Sequence, residues 1–192
     1  MKAKEFNPLR LDVQVFAREG GALQGQWPLE ELPRLASSQH EEAAPAGRQV
    51  AWSAEGERVE RLGAEAQTWL HLKARATVVL ECQRCLQPVE EALEVERSFR
   101  FVHGEAEAEA QDNDSEEDVL ALTRALDLRE LVEDELILAL PIVPRHDACP
   151  VPLPMAAEDD PEPEAPAESE ARPEQPNPFA VLAQLKKGRS SS

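Results

Sequence analysis

Trp69-Leu-His-Leu-Lys-Ala-Arg-Ala-Thr-Val-Val-Leu-Glu-Cys-Gln-Arg-Cys-Leu-Gln-Pro-Val-Glu-Glu-Ala-Leu-Glu-Val-Glu-Arg-Ser-Phe-Arg-Phe-Val102 decides the fold. In its first half Leu70, Leu72, Ala74, Ala76, Val78 and Leu80 hold the even positions, while His71, Lys73, Arg75 and Thr77 hold the odd ones. A period of two puts one set on each face of a long half-buried strand. After Cys82-Gln-Arg-Cys85 and Pro88, Leu93, Val95, Phe99 and Phe101 share one face, and Glu94, Glu96, Ser98 and Arg100 the other. Two such runs joined by a few residues predict an antiparallel hairpin. Arg97 falls on its apolar face, which the pattern alone leaves unexplained.

Upstream, Leu9–Phe16 alternates apolar and polar residues and predicts a strand, with Gly20, Gly21 and Gly25 marking a turn after it. Trp27–Leu35 predicts a short helix with Pro28 in its first turn and Pro33 limiting its length. Residues 37–47 read as a loop and Gln49–Ala54 as a short strand. Downstream, Asp118–Leu122 reads as a strand. Asp127-Leu-Arg-Glu130 has a helix-start spacing, followed by Leu128, Leu131, Val132, Leu136 and Leu140 at helical intervals. Pro141 and Pro144 end that helix. The expected fold is α+β: an antiparallel sheet around the hairpin, covered by the 127–140 helix.

The chain has 192 residues and a formal net charge of −18. Most of that charge lies in two blocks, 105–118 with −8 and 156–176 with −7, leaving about −3 elsewhere. Like-charge stretches poor in large apolar residues usually stay solvated, so the first block is expected to be a disordered acidic loop. Of the 16 prolines, 11 lie between Pro141 and Pro178. The expected organisation is therefore a folded domain over 1–150, an acidic Pro-rich linker over 151–176, and a short amphipathic helix over 177–187. No run approaches the ~20 apolar residues of a membrane span. The first residues lack an apolar signal core, and three cysteines suit a reducing cytosol.

Cys82 and Cys85 can form half of a tetrahedral zinc site, with His146 and Cys149 as the other half. The competing readings are thiols that only pack, or a redox pair, although no helix follows the motif to activate a thiol. Lys73, Arg75 and Arg84 are the candidate RNA contacts, but Glu94 and Glu96 share the hairpin face with the first two and can neutralise them. Trp27, Trp52 and Trp69 serve either as stacking platforms or as core. No Ser-His-Asp order, phosphate-binding glycine loop or HExxH motif appears, so no catalytic residue is expected.

Three stretches together resemble the YceD family, known as large ribosomal RNA subunit accumulation proteins. They are Leu80–Val89, Leu131–His146 and Asn177-Pro-Phe-Ala-Val-Leu-Ala-Gln-Leu-Lys186. Asn7-Pro-Leu-Arg10 and Pro28–Leu35 are similar to that family's N-terminal region. The resemblance implies a cytosolic, non-catalytic factor needed for 23S rRNA synthesis, processing or stability, with 23S rRNA or its precursor particle as partner. It supplies no binding residues. The acidic blocks also suit an escort for a basic large-subunit ribosomal protein. A processing nuclease, the third class, requires clustered buried carboxylates that the sequence does not display.

Overall fold

The computed structural model describes residues 5–43, 47–113 and 115–150. The expected linker over 151–176 and helix over 177–187 lie outside the described residues. The hairpin forms as its alternation predicts, from β3 (Gln67–Glu81) and β4 (Pro88–Val102). Leu70 pairs with Phe99 and Ala74 with Val95 on the core face, while Lys73 pairs with Glu96 and Arg75 with Glu94 on the other. β1 (Ala22–Pro28) and β2 (Gln49–Val59) extend the antiparallel meander. β5 (Asp118–Ala121) completes the order β1-β2-β3-β4-β5.

β5 runs parallel to β4, so the sheet is mixed rather than wholly antiparallel. A parallel return needs a crossover of a dozen or more residues. Here the crossover contains a helix, α3 (Glu105–Asp112), inside the acidic stretch expected to be a disordered loop over 105–118. Its one buried side chain, Ala108, seats it on the sheet, and Asp112 Oδ1 accepts a hydrogen bond from Val119 N at 2.9 Å. The glutamates are outward-facing, so a small apolar contact suffices to hold the helix.

The N-terminal strand expected over Leu9–Phe16 is instead a 3-10 turn (Pro8–Arg10) and α1 (Val13–Arg18). Asn7 Oδ1 accepts from Leu9 N, and Asp12 Oδ1 accepts from Val15 N, both at 3.0 Å. These caps satisfy backbone donors that a strand would have paired with a neighbour. Leu11 still makes one antiparallel bridge, to Leu126. The expected Trp27–Leu35 helix is also displaced. Trp27 and Pro28 finish β1, and Pro33 opens α2 (Pro33–Ser37) rather than limiting a preceding helix.

Helix α4 (Leu128–Leu138) covers the apolar sheet face, capped by Asp127 Oδ1, which accepts from Arg129 N at 2.9 Å and Glu130 N at 3.2 Å. Leu128, Val132 and Leu136 are fully buried, each contributing about 1.5–3 kcal/mol of hydrophobic stabilisation. Arg97 finds its reason here: its Nε lies 3.4 Å from Glu135 Oε2 on α4. Glu133 Oε1 accepts from Arg34 N at 2.7 Å and Leu35 N at 3.1 Å, tying α4 to the start of α2. Trp52 is core and stacks on half-buried Trp27 at 4.4 Å; Trp69 is also half-buried. At Gly56 an added Cβ would sit 2.8 Å from the Ala17 nitrogen, so only glycine lets α1 lie this close to β2. Among the described residues, no helix is long and apolar enough to cross a membrane.

Candidate metal centre

The hairpin tip is built by backbone bonds before any side chain acts. Cys82 N donates to Gln87 O at 2.9 Å, and Leu86 N donates to Cys82 O at 2.8 Å. Leu86 has φ of 58°, the left-handed conformation that turns the chain back into β4. A non-glycine residue there is strained by roughly 1–2 kcal/mol. His40 buttresses the turn, with its Nε2 3.4 Å from Leu86 O.

The second arm comes from the chain leaving α4. Gln83 N donates to Pro144 O at 2.9 Å, laying residues 144–149 beside the tip. Cys82, Cys85, His146 and Cys149 thereby converge, with all four ligand atoms within 4.8 Å of one another. Cys82 is fully buried and the other three are partly so. Cys85 Sγ and His146 Nδ1 are 3.5 Å apart. Four ligands around a tetrahedral zinc at about 2.0–2.3 Å stand roughly 3.3–3.8 Å from one another. The cluster is within about 1 Å of that arrangement, and its soft sulfur and imidazole donors suit zinc.

The imidazole is oriented for ligation. His146 Nε2 lies 3.0 Å from Pro88 O, a carbonyl that can only accept, so Nε2 carries the proton and Nδ1 faces the sulfurs. Burial opposes ionisation of Cys82. The backbone N–H groups of His146, Arg84 and Cys85, helped by the His146 side chain, outweigh it and bring the thiol down to about 5. Cys149 is displaced upward, first by burial and then by the neighbouring sulfurs of Cys85 and Cys82. The chain continues from the tip into β4, so among the described residues no helix opens at the thiols, and the lowering of Cys82 comes from the backbone N–H groups and the His146 ring instead.

The three candidate RNA-contacting cations are not brought together. Lys73 Nζ lies 2.8 Å from Glu96 Oε1, and Arg75 Nε lies 3.5 Å from Glu94 Oε1, both pairs on the open sheet face. The Lys73 ammonium, by hydrogen bond and then by charge, holds the Glu96 carboxyl below the usual range. Arg84 stands in the turn beyond β3, whose end at Glu81 is about 20 Å along the strand from Arg75. Arg145, one residue after Pro144, is exposed beside the same tip.

Fold and site define a class: an α+β domain whose hairpin tip and post-helical segment share a Cys3His cluster. The family model described as large ribosomal RNA subunit accumulation protein YceD matches residues 70–186, a span holding the whole cluster. The chain belongs to the YceD family. A protein of Haemophilus influenzae, described as large ribosomal RNA subunit accumulation protein YceD, is 36% identical over 117 residues. The alignment covers 60% of this chain and 63% of that relative, so the chain spans less than two thirds of the relative's length. No solved structure matches the chain.

Proposed function

We propose that this protein is a non-catalytic cytosolic factor on which 23S rRNA accumulation and assembly of the large ribosomal subunit depend. Membership of the YceD family over residues 70–186 carries the reading. Depletion in cells should lower 23S rRNA relative to 16S rRNA and deplete large subunits on a gradient. Unchanged 23S rRNA and a normal gradient would overturn it.

Within this reading Cys82, Cys85, His146 and Cys149 hold a structural zinc ion. Four protein ligands leave no open coordination position, so the ion supplies cross-linking rather than Lewis-acid chemistry. Protein purified under reducing conditions should contain one zinc per chain, and Cys82→Ser should lose it. A metal-free wild type that stays so after zinc reconstitution would show thiols that only pack.

A second reading is favoured by α3, which presents Glu105, Glu107 and Glu109 outward from a docked helix. That acidic row suits an escort for a basic large-subunit ribosomal protein. Deleting 105–118 would remove the crossover to β5, so the test is Glu→Gln at these three positions. Escort activity predicts salt-sensitive binding to the basic protein that these substitutions weaken.

A further inference from the structure

We infer that Arg84 and Arg145 form a two-point clamp for the phosphate backbone of RNA at the metal-bearing end of the molecule. Resting on the rRNA reading above, it names the surface that makes the contact. Phosphate recognition needs cations not already held by carboxylates. Lys73, Arg75, Arg34, Arg97 and Arg129 are each engaged by a glutamate within 4 Å. Among the described residues, Arg10, Arg61, Arg84, Arg124 and Arg145 have no ion pair or side-chain hydrogen bond. Arg10 ends the N-terminal 3-10 turn, Arg61 lies between β2 and β3, and Arg124 lies between β5 and α4.

Arg84 and Arg145 differ from those three in being fixed together. Their immediate neighbours Gln83 and Pro144 share the 2.9 Å backbone hydrogen bond that crosses the tip. Each also directly precedes a member of the cluster, Cys85 or His146. Both side chains are exposed. The Gln83–Pro144 bond holds their backbones within about 10 Å of each other by standard chain dimensions, close enough for two long side chains to reach one phosphate or two consecutive ones. A guanidinium binds phosphate bidentately, which favours this use of arginine over a point charge.

The surroundings limit the contact. Glu81 and Asp147 are exposed nearby in the chain, and three thiolates on a divalent ion leave a formal −1. The end of the molecule is therefore not a broad positive field, and the clamp acts through the two guanidinium groups alone. Two phosphate contacts on single-stranded RNA predict a slope of log affinity against log salt near −1.4, at roughly −0.7 per contact.

The test uses the full-length, zinc-loaded chain, titrated against transcripts tiled along precursor 23S rRNA and against a short oligouridylate. The expected result is a shallow salt slope that Arg84→Ala with Arg145→Ala abolishes, with affinity falling about tenfold or more. Lys73→Ala with Arg75→Ala should leave affinity and slope unchanged. Equal binding by the Arg84/Arg145 pair variant, or no binding by the wild type, overturns the clamp. If the alanine pair loses its zinc, the lysine pair replaces it; weaker binding at an unchanged slope supports the clamp, and unchanged affinity overturns it. Crosslinks in cells should join RNA to peptides 83–86 and 144–147, whereas crosslinks there to protein alone overturn it. Failure here with 23S rRNA still falling on depletion leaves the proposed function standing. Normal 23S rRNA on depletion removes that function, and the titrations still decide the clamp.

Discussion

Leu86 shows how a single backbone angle bears on the centre. Its φ of 58° places a leucine where glycine is at ease, directly after Cys85. Leu86→Gly removes the Cβ strain and adds unfolded-state freedom, two effects of similar size. The expected outcome is a fully folded, metal-competent variant within about 1 kcal/mol of wild type by urea denaturation. Glu133 is the opposite case. Its buried carboxylate serves the Arg34 and Leu35 nitrogens and pairs with the Arg34 guanidinium at 3.0 Å. Glu133→Ala leaves those donors unserved, and we expect it to cost about 2–3 kcal/mol, seen as a lower denaturation midpoint at unchanged slope. Neither partnership was legible in the sequence, because Glu133 and Arg34 lie 99 positions apart. The position of Arg97 opposite α4 was visible only as an exception to the alternation.

Elements differ in how far local pattern determines them. β3 and β4 were legible because each residue's face follows from its parity, and a short turn fixes the register. α4 was legible for a similar reason, with cap and apolar stripe both inside one window. The N-terminal segment misled because Leu9, Leu11, Val13 and Val15 alternate, while the Val13, Phe16 and Ala17 spacing that α1 buries is equally present. The Asp12 cap separates the two readings. Packing of α4 on the sheet also has a pH signature. Burial raises the Glu135 carboxyl above its usual range, Arg97 opposes it, and Asp118 and Asp134 add to it. The folded state thus holds the proton more tightly than the unfolded chain. The associated stability is complete below the ordinary carboxylate pKa of about 4.3 and is lost as pH rises through the folded value. Glu135→Gln should therefore stabilise the protein at pH 7 by less than about 1 kcal/mol, and the gain should vanish toward pH 4. Thermal melts across that range check it.

At the scale of the whole molecule, the acidic helix and the cysteine–histidine cluster have separate places. The sequence showed that the −18 is concentrated in two blocks, but not that the first contains the crossover helix, since that depends on the direction of β5. The four cluster residues were legible as two pairs able to share one site, and they do converge; what the sequence did not show is the bond from Gln83 N to Pro144 O that lays the second pair against the hairpin tip. Removing the metal with a chelator should consequently act on one end only. Hydrogen exchange should accelerate over 82–88 and 141–149, while the amides of β2, β3 before residue 80 and α4 keep their protection. Uniform acceleration across the sheet would contradict a locally acting centre.

The two halves of the cluster also set a timetable for synthesis. Cys85 and His146 are 61 residues apart. At a translation rate of about 5–20 residues per second, the hairpin cysteines leave the ribosome roughly 3–12 s before their partners. During that interval the nascent chain carries the Cys82 and Cys85 thiols without His146 and Cys149. The four-residue cluster can therefore be completed only after α4 has emerged, which makes its assembly a late event in the protein's own synthesis.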